Sequence, residues 1–194
     1  YPLLLLGLVA LLLSVQKGWD LHQTHVSVRA EDLERLRRIR TAGDHEPRSE
    51  EFAEIPMPLG SLMLAAFQHR HASRENLEEI LHEHVLAEVP RLERSLGLLA
   101  VLGGVAPLLG LLGTVTGMIH TFQLVTLFGS GNAKTLSGGI SEALVTTELG
   151  LMIAIPILLI HALLARKAKT QLGDLEHSAV SIVNLLHAEI SDPA

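Results

Sequence analysis

The chain of 194 residues contains no cysteine. Disulfides, thiolate nucleophiles and thiolate metal sites are therefore excluded. Aromatic residues are scarce at 3 %, with one Trp, one Tyr and four Phe. A soluble core of this size ordinarily draws on more Phe and Tyr. Charge is also sparse, at 19 % of residues, and there is no basic excess, since the formal net charge is -6. That balance argues against a general nucleic-acid binder, which presents a basic face. What is present is apolar. Hydrophobic residues make up 48 % and the mean hydropathy is +0.36. The apolar residues are mostly Leu, Ile, Val and Ala, the vocabulary of lipid-facing helices. Composition thus points away from a soluble enzyme, a disordered chain or a disulfide scaffold.

The charges fall into blocks. Residues 1–16 carry none, and the 39 residues from Ser95 to Ala133 contain no Asp, Glu, Lys or Arg. From Thr135 to Ala165 the only ionisable side chains are Glu142, Glu148 and His161. A membrane helix needs about 20 apolar residues. Three spans are expected, at 1–16, 96–127 and 138–165. The first is short as it stands, and the run opens at Tyr1-Pro2 without an initiator, as expected of the remainder of a longer chain. No basic region precedes it, which sets it apart from a signal peptide. The second, about 48 Å long at 1.5 Å per residue, exceeds a hydrocarbon core of about 30 Å and must tilt or project.

Lys and Arg set the expected orientation. Residues 17–94 hold 11 of the 15 basic residues, and Arg166, Lys167 and Lys169 form a second basic edge. The segments 17–95 and 166–194 are expected to be cytoplasmic, and the 128–137 loop and the N-terminus periplasmic. Within the cytoplasmic part, Leu33, Leu36 and Ile39 recur among arginines as on an amphipathic helix. Thr41–Pro47 reads as a turn, and Ile55–Gly60 as a second break. One helix is expected from about Leu62 to Val89, with Leu77, Ile80, Leu81, Val85 and Leu86 on one face. Pro90 would kink it before it runs nearly unbroken into the second span. The tail, Leu172–Ile190, reads as another amphipathic helix through Leu175, Val180, Val183, Leu186 and Ile190.

The spans carry small and polar residues at helical spacing. Gly110, Thr114, Gly117 and Thr121 form one stripe of the second span, and Ala143, Thr147, Gly150 and Ala154 form one in the third. In lipid such stripes let backbones approach, and threonine hydroxyls bond across helices. Tight packing alone would account for them; a narrow polar path lined by the threonines is the functional alternative. Gly113 adds to the small-residue surface. Pro107 and Pro156 each remove a backbone donor inside a span and mark possible kinks. Glu142 and Glu148 weigh more. A charge at mid-membrane costs about 2.5–3.5 kcal/mol even on lenient insertion scales, so an intramembrane carboxyl is a functional candidate.

Other chemistry is thinly supported. His69 and His71, like His82 and His84, stand two residues apart and point to different faces of a helix, a poor metal geometry. No Ser-His-Asp arrangement or Gly-rich phosphate loop occurs, so neither an enzyme nor a bound cofactor is expected.

The stretch Ala106-Pro107-Leu108-Leu109-Gly110-Leu111-Leu112-Gly113-Thr114-Val115-Thr116-Gly117-Met118-Ile119 resembles the second membrane helix of the MotA/TolQ/ExbB proton-channel family. Gly139-Ile140-Ser141-Glu142-Ala143-Leu144-Val145-Thr146-Thr147-Glu148-Leu149-Gly150-Leu151 resembles the third, continued by Ala154-Ile155-Pro156. The likeness covers about residues 90–168 and is nearest to ExbB-type subunits, including the branch with an N-terminal periplasmic region.

The resemblance implies an all-α membrane protein with three spans and long helical cytoplasmic extensions, assembling as a ring, a pentamer. It implies a bacterial inner-membrane location and a dimer of a single-span ExbD/TolR-type partner inside the ring. The partner's membrane Asp carries the proton, and the work reaches a TonB-type protein that opens outer-membrane receptors. By position, Thr114 and Thr147 look like the pore threonines facing that Asp, and Glu142 like the family's third-helix Glu. Glu148 departs from the pattern, where a small residue is common. TolQ-like envelope maintenance and a non-conducting membrane scaffold are the competing expectations.

Overall fold

A computed structural model describes residues 2–23, 58–128 and 133–187. Every regular element among them is a helix: α1 (Pro2–Gln23), α2 (Leu59–Gln68), α3 (Arg74–Glu93), α4 (Leu96–Phe128) and α5 (Ala133–His187). Three stretches are long and apolar enough to cross a membrane, Pro2–Leu21, one within Arg74–Leu127 and one within Ser137–His187. The amphipathic helix expected around Leu33, Leu36 and Ile39 and the turn Thr41–Pro47 lie outside the described residues.

The chain divides into two compact units, residues 1–18 with 95–164, and residues 19–94 with 165–194. In the first unit, α1, α4 and α5 share a core of Leu6, Ala10, Leu99, Ala106, Ala154 and Ile157. Outside this core, large apolar side chains face outwards all along the unit: Leu8, Leu12, Leu108, Phe122, Leu144, Met152 and Leu163 are among those more than half exposed. A surface of that kind is at home in hydrocarbon, where backbone polar groups must be satisfied inside each helix. Pro107 and Pro156 sit inside unbroken helices. Each ring faces a carbonyl four residues back, on Gly103 and Met152, which loses its helical donor.

In the second unit, α2 and α3 pack on the last turns of α5. Leu59, Leu62, Met63, Phe67, Leu77, Leu81, Val85, Leu175, Ile182, Val183 and Leu186 are buried together. Polar ties fix the edges. Arg74 donates to Asn184 Oδ1 at 2.8 Å, and Gln171 Nε2 donates to the Leu21 carbonyl at 3.0 Å.

The structure corrects three expectations here. The single helix Leu62–Val89 is two helices. The backbone N–H of His69 bonds back to Ala65, and Ala72 to His69, and a new helix begins at the Ser73 cap, whose hydroxyl accepts from Asn76 N at 3.3 Å. A serine oxygen that satisfies an orphan N–H starts a helix better than it continues one. Pro90 lies inside α3, which runs on to Glu93, and only Arg94 and Ser95 separate it from α4, so the chain runs nearly unbroken into the second span as expected. Ser95 has φ 69°, a left-handed conformation uncommon for a residue with a side chain. Leu86 and Val180, expected on the buried faces, are 52 % and 55 % exposed. Finally, α5 starts at Ala133, inside the segment expected as a loop, and the expected separate tail helix is its continuation.

Candidate functional site: a glycine-lined seam with paired threonines

Helices α4 and α5 run antiparallel and meet along small residues. A Cβ on Gly110 would lie 3.0 Å from the Thr146 carbonyl oxygen, 3.1 Å from Thr147 Cα and 3.3 Å from Gly150 Cα. On Gly150 it would lie 2.8 Å from the Ala106 carbonyl oxygen, and on Gly117 2.8 Å from the Ala143 Cβ. On Gly113 it would meet the Thr146 side chain, and on Gly139 the hydroxyl of Thr121. Backbone therefore lies against backbone at the centre of the seam, a geometry available only to glycine. Of the expected stripes, Gly110, Gly117, Thr121, Ala143 and Gly150 line this contact, with Gly113 beside them, and Ala154 is buried in the first unit's core. Of the two prolines, Pro107 is half-buried and Pro156 exposed.

The close approach brings hydroxyls together. Thr147 Oγ1 donates to the Gly110 carbonyl at 3.1 Å and lies 3.4 Å from Thr114 Oγ1. Thr114 donates to its own helix at Leu111, at 2.7 Å. Thr146 Oγ1 sits 2.7 Å from the Ala143 carbonyl and 3.3 Å from that of Gly110. Thr146 was not singled out from the sequence. The signal that could have found it is its place three residues after Ala143 and four before Gly150, on the seam itself.

The state of the hydroxyls decides their chemistry. A threonine has one hydrogen to donate and lone pairs to accept with. Thr114 and Thr147 both aim their hydrogens at backbone carbonyls. Their free lone pairs suit a protonated carboxyl. Receiving a carboxylate requires Thr114 to swing off Leu111. The pair can thus follow a carboxyl through both of its states.

The two glutamates stand apart from this pair. Each residue turns about 100° around a helix. Thr147 follows the seam residue Thr146, whereas Glu142 precedes the seam residue Ala143, so they occupy opposite flanks of α5. Glu148 lies midway between Thr146 and Gly150 on the face turned roughly away from α4. Both carboxyl side chains are exposed on the protomer.

Helices that cross a membrane, a seam closed by glycine and hydroxyls set within it define a multi-pass membrane protein with a polar site among its spans. The profile of the MotA/TolQ/ExbB proton channel family matches residues 54–177. The chain belongs to that family, nearest to its ExbB branch. It is 34 % identical over 203 residues to the biopolymer transport protein ExbB-like 1 of Synechocystis sp., covering 98 % of this chain and 75 % of that protein. It is 32 % identical over 127 residues to the biopolymer transport protein ExbB of Xanthomonas campestris pv. campestris, covering 59 % of this chain and 49 % of the relative. It is 29 % identical over 119 residues to the Tol-Pal system protein TolQ of Pseudomonas aeruginosa, covering 61 % and 52 %.

Proposed function

We propose that this chain is the ring-forming subunit of an inner-membrane proton-driven motor, in which Thr114 and Thr147 receive the membrane carboxyl of a single-span ExbD-type partner. The observation that carries the reading is the 3.4 Å approach of the two hydroxyls on a glycine-lined seam. Five copies around two partner chains would gather such pairs about a central space. One charge moving through 100 mV gains about 2.3 kcal/mol, enough to bias rotation of the ring about its partner step by step. Glu142 and Glu148 belong to the same proposal as carboxyls that hold protons within the spans, since an exposed carboxylate in lipid is costly. The output is work delivered to a TonB-type protein for outer-membrane transport. The basic residues of 17–94 and 166–169 support a cytoplasmic place for residues 17–94 and 166–194 and a periplasmic place for the segment 128–137 and the N-terminus.

The likeness to a Tol-Pal system protein supports a second reading within the family, a TolQ-like motor for envelope maintenance. The test is co-expression with a single-span ExbD-type protein, followed by native mass spectrometry and proton flux in proteoliposomes. A pentamer holding two partners and passing protons is expected. A stable oligomer that never retains the partner and passes no protons would leave only a membrane scaffold. Deletion of the chain separates the two motors: loss of TonB-dependent uptake marks one, and envelope leakage with intact uptake the other.

A further inference from the structure

Two consecutive residues of α5 reach the same carbonyl of α4. Thr147 Oγ1 lies 3.1 Å from the Gly110 oxygen, and Thr146 Oγ1 lies 3.3 Å from it. Neighbours on a helix point about 100° apart and ordinarily serve different partners. Gly110 makes the exception. A Cβ there would lie 3.0 Å from the Thr146 carbonyl oxygen and 3.1 Å from Thr147 Cα, so its backbone comes close enough for both side chains to reach.

The carbonyl has fewer places than it has donors. It carries two lone pairs. In the unbroken helix α4 the backbone N–H of Thr114, four residues on, takes one of them. One place is left for two hydroxyls. Thr147 is the nearer. Thr146 has a second acceptor, the Ala143 carbonyl of its own helix, at 2.7 Å. A hydroxyl has a single hydrogen to give. While Thr147 donates to Gly110, the hydrogen of Thr146 rests on Ala143. When Thr147 turns away, the hydrogen of Thr146 rotates to Gly110, and no oxygen has to move.

Packing holds Thr146 in place for this exchange. A Cβ on Gly113 would lie 2.7 Å from Thr146 Cβ and 3.2 Å from its Cγ2. The space that Gly113 leaves is the space that Thr146 fills. Its heavy atoms are confined there, and its hydroxyl hydrogen rotates.

Thr147 is the residue that needs a stand-in. With its hydrogen on Gly110 it offers a carboxyl only lone pairs, which suit the protonated form. A carboxylate takes the hydrogen instead. That turn strips a bond from a part-buried carbonyl, where an unfilled acceptor is costly. We propose that Thr146 is a positioning residue for the threonine pair: its hydroxyl takes over the Gly110 carbonyl whenever Thr147 turns to a carboxylate, and releases it when Thr147 returns. Thr146 touches neither the proton nor the carboxyl. It evens out the two states of Thr147, so that neither becomes a trap. The role in proton transfer rests on the motor reading above; the sharing of one carbonyl does not.

Two measurements test it. The first is a double-mutant cycle by thermal melting of the full chain in nanodiscs. Thr146→Val and Thr147→Val each leave one hydroxyl for Gly110, and each is expected to lower the melting temperature slightly. The double variant leaves none, and is expected to lose more than the two single losses together. Additive losses would overturn the sharing. The second is proton flux in proteoliposomes that hold the chain with a single-span ExbD-type partner. Valine keeps the shape of Thr146 and lacks its hydroxyl, whereas serine keeps the hydroxyl and lacks the methyl group. Thr146→Val is expected to slow flux several-fold, and Thr146→Ser to retain most of it; a packing role gives the reverse order. On a Thr147→Val background, Thr146→Val is expected to slow flux no further. Native flux in Thr146→Val, or a serine variant as slow as the valine one, would overturn the positioning role. A native complex that passes no protons would end the motor reading and the positioning role with it. Melting needs neither partner nor proton flow, so it still decides the sharing.

Discussion

Thr147 reaches across the seam to the Gly110 carbonyl at 3.1 Å and stops 3.4 Å from the hydroxyl of Thr114. The relationship depends on what position 110 lacks, because a Cβ there would press within 3.1 Å of Thr147 Cα. Small residues thus set the distance, and the distance sets the chemistry of the hydroxyls.

Thr147→Val isolates that chemistry from the packing. Valine keeps the branched shape and removes the donor. The Gly110 carbonyl still has Thr146 Oγ1 at 3.3 Å, so the loss of stability should be about 1 kcal/mol. The variant is expected to assemble normally and to pass protons several-fold more slowly in proteoliposomes. Undiminished flux would remove Thr147 from the pathway.

The seam makes a second claim, about glycine. Gly150→Ala places a methyl group 2.8 Å from the Ala106 carbonyl, where only backbone could give way. Overpacking of this kind costs about 1–3 kcal/mol. Gly104→Ala meets nothing within 4 Å and should be neutral or, by helix propensity, favourable by up to about 1 kcal/mol. Detergent-purified variants should therefore melt in the order Gly150→Ala, native, Gly104→Ala. Equal melting of the two variants would contradict a close seam.

Much of this was legible in the sequence, and the reason is the bilayer. Long uncharged runs have few alternatives to a helix in lipid, and α1, α4 and α5 follow the three expected apolar stretches. The small residues of the seam were visible by their spacing. Which flank each polar residue takes was not. Spacing along one helix fixes relative rotation, but only the partner helix says which direction faces in, and that separated Thr147 from Glu142. The break at His69–Ser73 was missed for another reason. Its flanks are both apolar-periodic, and the signal was a single serine placed before Arg74-Glu75-Asn76. Leu86 and Val180 fit an apolar face by period yet lie outside the contact, because α3 and α5 meet along a stripe narrower than their apolar faces.

That narrow stripe yields a stability prediction. Leu81 is wholly buried in the second unit, while Leu86 is 52 % exposed five residues later on the same helix. Leu81→Ala should cost about 2–5 kcal/mol, the range for a buried leucine that leaves a cavity. Leu86→Ala should fall within about 0.5 kcal/mol of the native protein, as exposed sites do. Denaturation of the purified chain measures both, and a Leu86→Ala variant as damaged as Leu81→Ala would show that another surface covers α3.

Glu148 sets an exposed carboxyl on an otherwise apolar span. It lies between Thr146 and Gly150 in sequence, yet its side chain is exposed on the face turned from α4. Hydrocarbon around an ionised carboxyl costs about 2.5–3.5 kcal/mol, which makes a carboxyl within a span a functional candidate. Glu148→Gln keeps the size and a hydrogen-bonding amide but cannot exchange a proton. Glu148→Asp keeps the exchange on a shorter arm. If Glu148 handles protons, the Gln variant should lose most proton flux at native expression, and the Asp variant should retain a substantial part. Native flux in both would reduce Glu148 to a packing residue, and equal loss in both would mean that its length, not its proton, is what the assembly uses.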